Sequence, residues 1–241
     1  MLSFFRRRRR PRPRPQAAPV ISPRSDTVAV ARVELADLTP PQDAFLGRLG
    51  YLTLVLFDNL SLAVAESPTT AAKTKLSIAA AELLEAHESI VVELRRLGID
   101  PVTAMDPFRA ELDDFQKRIR GSDWHEILVS CYLTAGFLTD FFDGLAAGLP
   151  AALSERVSLV LDVDKGESLL VEELREAIDA SPRLASRLAM WGRRLVGDTM
   201  LVARSSLAIG GESPGEERIE PVFTELIAAH TRRMDALGLT A

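Results

Sequence analysis

Residues 122–142 read SDWHEILVSCYLTAGFLTDFF and carry the clearest helix signal of the chain. Asp123 stands three residues before Glu126, which is the spacing of a helix capping box, and apolar residues then recur at intervals of three and four. The stretch contains no proline. The pattern predicts a long helix that begins at Asp123 and buries the face formed by Ile127, Leu138, Phe141 and Leu145.

Similar helical patterns lie on both sides of this stretch. We predict one helix after Pro41, a second that ends at Gly98, and a fourth from Pro150 to about Ile178, with a short helical piece at 107–119 in the long connection. Two short hairpins joined by one long connection are the topology of a ferritin-like four-helix bundle. Two further helices, at about 182–209 and 216–237, are expected as accessory helices or an oligomer contact. The predicted fold class is all-α, a ferritin-like four-helix bundle with two additional C-terminal helices.

The composition is typical of a helical protein with a large core. Of 241 residues, 47% are hydrophobic, and only 14 are Gly and 14 Pro, so long helices are favoured. The single cysteine, Cys131, lies in an apolar run, which predicts a buried thiol rather than a disulfide or a catalytic nucleophile. We find no apolar stretch of the roughly 18 residues that a membrane span requires. These features predict a soluble, cytoplasmic protein.

The first 27 residues differ from the rest in charge. Residues 1–25 contain eight arginines and no acid, so removing them from the net charge of -5 leaves -13 for the remainder. Arg alternates with Pro, and no apolar export segment follows, which predicts a disordered Arg/Pro-rich tail at 1–27 before a helical domain at 28–241. The tail is expected either to make weak contact with RNA, DNA or an anionic membrane, or to stay a solvated segment beside the acidic remainder. The arginines of the expected contact are Arg6, Arg7, Arg8, Arg9, Arg10, Arg12 and Arg14.

Five runs of sequence resemble one protein family in their order and spacing. They are AAAELLEAH at 79–87, LGIDPVTAMDPF at 97–108, the stretch 122–142, LAMWGRRLVGD at 188–198 and AAHTRRMDALGL at 228–239. Over about residues 42–239, the chain resembles the actinobacterial ferritin-like proteins grouped with the MiaE-like tRNA hydroxylases. The resemblance implies a di-iron carboxylate bundle in which four helices supply Glu, Glu-x-x-His, Glu or Asp, and Glu-x-x-His. This chain contains no Glu-x-x-His.

On the first two helices, periodicity locates the positions where such ligands would lie. The apolar stripe of the first helix passes through Thr53, and that of the second passes through His87, with Leu84 three residues before it. A second register of the second helix would select Glu82 and Glu85, which point away from the stripe. We favour the register of His87.

The third and fourth helices complete the predicted level of the bundle. The third offers Thr134 or its neighbour, and the fourth offers Asp164 and Glu167, although the adjacent register of Val163 and Gly166 has no ligand. The separations along the chain support placing these residues at one height of the bundle, since Thr53 precedes His87 by 34 residues and Thr134 precedes Glu167 by 33. The predicted polar remnant of the core consists of Thr53, His87, Thr134, Asp164 and Glu167.

At most three of these side chains can bind a metal ion, namely His87, Asp164 and Glu167, whereas a di-iron centre needs about six groups. We therefore expect no dinuclear centre. Three alternatives stay open: a hydrogen-bonded polar layer inside a former metal cavity, exposure of both acids through unwinding at Gly166, or a single metal ion on these three residues.

The missing ligands favour a non-catalytic ferritin-like protein that acts as a binding or partner protein, without a cofactor. Its expected partners are further copies of itself or a ferritin-like paralogue. The alternative, which follows from the resemblance and the basic tail, is a MiaE-like metal-dependent oxidoreductase or hydroxylase that acts on RNA and holds iron. Fold resemblance alone does not decide between them.

Overall fold

The computed structural model describes residues 34–162, 166–207 and 216–239. Regular structure in these ranges is entirely helical, as predicted. The predicted tail at 1–27, with its seven named arginines, lies outside the described residues. After a 3-10 turn at Leu35–Leu38, the helices are α1 (Gln42–Ala65), α2 (Thr70–Arg96), α3 (Pro101–Ile119), α4 (Trp124–Ala146), α5 (Ala151–Leu161), α6 (Glu167–Ala180), α7 (Pro182–Leu207) and α8 (Glu216–Ala236).

Side-chain caps fix the starts of the central helices. Asp123 accepts a hydrogen bond from the backbone N–H of Glu126 at 3.1 Å, which confirms the predicted start of α4. The carboxylate of Glu126 bonds to the backbone N–H and hydroxyl of Ser122, at 2.9 and 2.6 Å, rather than to Asp123. Of the two hydrogen bonds of the predicted capping box, the one accepted by Asp123 is present. The one accepted by Glu126 comes from Ser122, one residue before Asp123.

Four helical segments form the bundle: α1, α2, α4 and the pair α5–α6. α1 packs on α2 and α4, and both halves of the pair pack on α2 and α4. The sequence predicted one continuous fourth helix, but this was wrong, because Gly166 adopts a left-handed conformation with φ +75° and begins α6 anew. A Cβ at Gly166 would lie 2.1 Å from the Cβ of Ala79 in α2, so the close approach also requires glycine.

The connection between the two halves of the bundle contains a full helix. α3 has 19 residues rather than the short piece predicted at 107–119. Asp100 caps its first turn by accepting from the N–H of Thr103 at 2.9 Å, and Pro101 fits the first position because no N–H is needed there. α3 lies so close to α1 that a Cβ at Gly47 would come within 2.1 Å of the Ala104 carbonyl oxygen.

α1 is long and apolar enough to cross a membrane by length and composition alone, contrary to the expectation from the sequence. More than half of its most apolar segment is buried inside the protein, against α2, α3 and α4. Burial of this kind is typical of the core helix of a helical bundle.

The two predicted C-terminal helices are present, and they pack on the bundle. α7 packs on α4 and α3, while α8 packs on α4, where the Phe223 ring stacks on Phe141 with centroids 6.3 Å apart. An ion pair between a buried arginine and a partly exposed glutamate joins α1 and α3, and the arginine also reaches α7. The Nη2 atom of Arg48, whose side chain is 3% exposed, donates to Glu111 at 2.7 Å and to Ser205 Oγ at 2.7 Å.

We call these three residues, with the Val202 carbonyl 3.1 Å from the same nitrogen, the Arg48 cluster. The guanidinium of Arg48 also lies over the ring of Phe108, 5.5 Å from the ring centroid. The hydroxyl of Ser205 donates in turn to Glu111. The cluster ties α7 to the bundle with polar contacts as well as apolar ones.

Candidate functional site

Two residues of the predicted polar remnant meet in the structure. The Nδ1 atom of half-buried His87 lies 2.9 Å from the carbonyl oxygen of Gly50, so this nitrogen carries a proton and donates to it. The buried hydroxyl of Thr53 donates to the same carbonyl at 2.8 Å and lies 3.4 Å from the His87 nitrogen. Both side chains are therefore satisfied by one backbone group of α1.

The other predicted members do not join them. Thr134 is buried, but its hydroxyl donates to the Ser130 carbonyl of its own helix at 2.6 Å. Glu167 is exposed at the start of α6, which begins anew after the left-handed Gly166. Asp164 lies outside the described residues. Of the alternatives left open by the sequence, exposure through unwinding at Gly166 is the one that the structure shows for Glu167.

The second register of α2 also fails to build a site. Glu85 is exposed, as is Leu84, which is 38% exposed. Glu82 is half-buried, and its Oε2 atom has no hydrogen-bond partner among the described residues. The two carboxylates of this register are therefore not both inside the bundle.

Little free space lies beside Thr53. Between α1, α4 and α5, leucines surround Thr53 and leave a cavity of only about 10 Å³, which holds at most a single water molecule. Within the described parts of the chain, no group of three or more His, Cys, Asp or Glu side chains is arranged to hold a metal ion. Among the described residues, the predicted members of the polar remnant therefore do not converge on one metal-sized space.

A much larger cavity, of about 670 Å³, opens between α4, α5, the start of α6 and α8. Its inner wall includes Cys131 and Tyr132 of α4 and Leu170 of α6. Pockets of this volume are typical of small-molecule sites. We call this space the α4–α8 cavity. Its remaining lining residues are Ala135, Gly136, Thr139, Asp140, Asp143, Glu155, Ser158, Leu159, Leu161, Asp162, Glu167 and Arg233.

One ion pair closes the side of the cavity nearest α8. Arg233 binds Asp140 through two parallel hydrogen bonds of 2.8 Å, the geometry in which guanidinium and carboxylate bind most strongly. Burial opposes the charge, but Asp140 raises the pKa of Arg233. Arg233 lies over Gly136, where a Cβ would come within 2.3 Å of its Nε atom. The small residue on α4 therefore makes room for the guanidinium.

Two buried groups of α4 line the cavity. Burial raises the pKa of the Cys131 thiol to about 12, so it holds almost no thiolate at neutral pH and is a poor nucleophile. Tyr132 is only 4% exposed, and it lines the cavity beside Cys131. Burial, and then the charge of Glu167, raise the pKa of Tyr132, so the phenol stays protonated.

Sequence reasoning missed this cavity, although a signal was present. Tyr132, Gly136, Asp140 and Asp143 follow one another at intervals of four, four and three, and so share a face of α4 opposite the predicted apolar stripe. A helix packed on all sides has no single inward face. The apolar stripe therefore indicated only one of the two faces of α4, and the face that lines the cavity is the other one.

His230 is a buried histidine on α8, and the structure assigns its tautomer. Its Nε2 atom lies 3.1 Å from the Gly192 carbonyl and donates to it, while Nδ1 has no partner among the described groups. Burial lowers the pKa of His230, and the charge of Arg233 lowers it further, although the bond to Gly192 opposes both.

We expect this histidine to make the unfolding free energy depend on pH. Since its folded pKa lies below its unfolded value of about 6.5, its contribution to stability is fully present above that pH. The contribution is lost as pH falls from about 6.5 through the folded pKa, because the unfolded chain takes up the proton first. Urea unfolding of the wild type and of His230→Gln at several pH values measures it. Equal pH slopes for the two proteins would contradict this expectation.

Comparison with known proteins identifies the family to which the fold belongs. The family model for the ferritin-like domain of actinomycetes matches residues 42–208, which is more than half of the chain and runs from α1 to the end of α7. No curated protein sequence matches the chain. The helical architecture and this match lead to one conclusion: the chain belongs to the actinomycete family of ferritin-like domains.

Proposed function

We propose that this protein is a ferritin-like bundle that works without a di-iron centre, as a non-catalytic binding or partner protein. The observation that carries the proposal is the space beside Thr53, between α1, α4 and α5, where leucines leave only about 10 Å³. A centre of two metal ions needs several carboxylate and imidazole ligands that converge on a shared space. Thr53 and His87 are instead satisfied by the Gly50 carbonyl.

The competing function is a MiaE-like hydroxylase that holds iron and acts on RNA. Metal content separates the two functions. We expect protein purified without a metal-affinity tag from iron-supplemented cells to contain far less than one iron per chain by elemental analysis. Close to two irons per chain would overturn the proposal, and one iron would favour a mononuclear site.

A matched pair of variants makes this experiment sharper. His87→Ala removes the histidine of the predicted level, whereas His125→Ala removes a half-buried histidine from the first turn of α4. Any iron held by the predicted residues would be lost from the first variant and kept in the second. Equal iron in both variants would indicate metal bound elsewhere on the chain.

We also propose that the arginines of residues 1–25 make salt-sensitive contact with a polyanion. Binding of this kind releases counterions, so affinity falls steeply with salt, by about a thousandfold between 50 and 200 mM when six or more phosphates are contacted. Deletion of residues 1–25 is expected to abolish binding to a labelled single-stranded RNA, measured by fluorescence anisotropy. Unchanged binding after the deletion would reject the tail as the contact, and anionic vesicles in place of RNA test for a membrane partner.

A further inference from the structure

We infer that the chain forms a two-fold symmetric dimer through the exposed side of α2, with the two α2 helices antiparallel and Ala81 at the two-fold axis. The residues of this side are Thr74, Ser77, Ile78, Ala81 and Leu84, and we call them the α2 face. The inference deepens the proposed function, since it names the partner as a second copy of this chain. It rests on that proposal only for the role of a partner protein.

Exposed hydrophobic side chains are concentrated on α2. Nine large hydrophobic side chains are exposed in the described parts of the chain, and four of them lie on α2 or at its C-terminal cap: Ile78, Leu84, Val92 and Leu97. Ile78 is 55% exposed, and Ala81 lies three residues after it and three before Leu84. Residues at such intervals share one side of a helix. The α2 face is therefore a continuous strip of small and apolar side chains that is open to solvent.

The charge of α2 changes sign at its middle. Residues 70–81 contain Lys73 and Lys75 and no acid, whereas residues 82–93 contain four glutamates and no Lys or Arg. Lys75 is held by Glu172 and Glu173 of α6, so Lys73 is the exposed base of its half. An antiparallel pair places the basic half of each helix beside the acidic half of the other, whereas a parallel pair would place like charges together. The charge pattern therefore favours a second, antiparallel α2 as the occupant of this face.

The change of sign sets the centre of the pair at Ala81. With this residue on the two-fold axis, residues equally far before and after it face each other. Ile78 of each copy then meets Leu84 of the other. Lys73, eight residues before Ala81, lies beside the exposed Glu88 of the other copy, seven residues after it. The small side chain of Ala81 allows the two backbones to approach to the usual distance of packed helices.

Among the described helices, α7 also has two exposed large hydrophobic side chains, but it does not suit a second copy of itself. These side chains are Met190 and Leu201, which are 67% and 60% exposed. The exposed charges beside them are all basic, so two copies of this side of α7 would repel each other. They belong to Arg183, Arg187, Arg193 and Arg194. Of the two helices, only α2 is complementary to itself in charge.

The test is sedimentation equilibrium of the full chain, from about 1 to about 200 µM in about 0.15 M salt. One pair of helices buries less area than a standard interface, so we expect a weak dimer with a dissociation constant of about 1 to 100 µM. The average mass should rise from that of one chain, 26.4 kDa, toward twice that value. A chain that stays monomeric at the highest concentration overturns the inference, whether the α2 face is then open or covered by another protein.

Two variants with the same change of charge separate the α2 face from the rest of the surface. Ile78→Glu and Met190→Glu each add a carboxylate at a site of similar exposure, 55% and 67%. The first should weaken the dimer by about tenfold or more, because a charge replaces the contact with Leu84 of the other copy at both ends of the pair. The second should change the dissociation constant by less than about twofold. Equal effects of the two variants would overturn the inference.

An exchange of two charges tests the direction of the helices. Lys73→Glu and Glu88→Lys should each weaken the dimer about threefold to tenfold, since each reverses one charge in both of the symmetric ion pairs. The double variant carries the same pairs with their signs exchanged, so its dissociation constant should return to within about twofold of the wild-type value. A double variant as weak as the two single effects combined would overturn the inference.

Ala81→Cys tests the position of the two-fold axis. A residue on the axis meets its own counterpart, so the two thiols would lie within reach of a disulfide bond. We expect mild oxidation to cross-link this variant into dimers on a non-reducing gel, and Met190→Cys to cross-link far less. The native Cys131 is buried, and the wild type measures its background. Equal cross-linking of the two variants would overturn the inference.

None of these measurements involves iron. The dimer can therefore fail while the proposed bundle without a di-iron centre stands, and the reverse also holds.

Discussion

Glu111→Ala is expected to lower the free energy of unfolding by about 2 kcal/mol, less than for a fully buried ion pair because the Glu111 side chain is 38% exposed. The side chain of Arg48 is 3% exposed, so without the carboxylate its positive charge would stay in the interior without compensation. Ser205 Oγ and the Val202 carbonyl would still accept from Arg48, which also limits the loss of stability. Urea unfolding followed by circular dichroism measures the change.

The double variant Arg48→Met with Glu111→Ala separates the charge from the packing. It should be more stable than Glu111→Ala alone, because no unpaired charge remains in the interior. Asp114→Ala on the same helix removes an exposed acid paired with Lys117, and it should leave the urea midpoint where it is. If the double variant were as unstable as the sum of its two single variants, the stranded charge would not be the cause.

Gly47→Ala is the second substitution with a large expected effect, about 2 kcal/mol of lost stability. A Cβ at this position would lie 2.1 Å from the backbone oxygen of Ala104, and backbone cannot rotate away as a side chain can. α1 and α3 would have to separate along their contact. Thermal unfolding, with the van't Hoff enthalpy as a check for two-state behaviour, measures the loss.

Gly197→Ala gives a control with the opposite sign. This glycine also lies inside a helix, but no atom lies within 4 Å of a Cβ built on it. Alanine should therefore stabilise the protein by roughly 0.5–1 kcal/mol, through helix propensity alone. Similar effects for the two substitutions would mean that propensity rather than the contact between α1 and α3 decides the result.

The helices could be predicted from the sequence because their signals are local. The cap at Asp123 and the apolar repeat that follows it depend only on neighbours in sequence, and both are present in α4. The same holds for the two C-terminal helices. The full length of α3 was missed because its start rests on Asp100 and Pro101, which the prediction treated as part of a loop.

The candidate site could be predicted only in part, because it depends on how helices meet. The structure places Thr53 3.4 Å from the His87 ring, and both residues lie on the apolar stripe of a continuous helix, where periodicity along the chain is informative. Glu167 is exposed at the start of α6, because the left-handed Gly166 begins that helix anew, and periodicity along a continuous helix does not indicate such a break. Nothing in local spacing indicates that Arg233, near the C-terminus, reaches Asp140 on α4.

The Arg48 cluster also affects how the chain folds during its synthesis on the ribosome. Ser205 lies 94 residues after Glu111, and domains form on the ribosome from the N-terminus onward. While the first helices are already outside the ribosome, the part of α7 that covers Arg48 has yet to be made. We therefore expect the nascent bundle to remain open and hydrated around Arg48 until residue 207 has emerged, so that the domain closes late in synthesis.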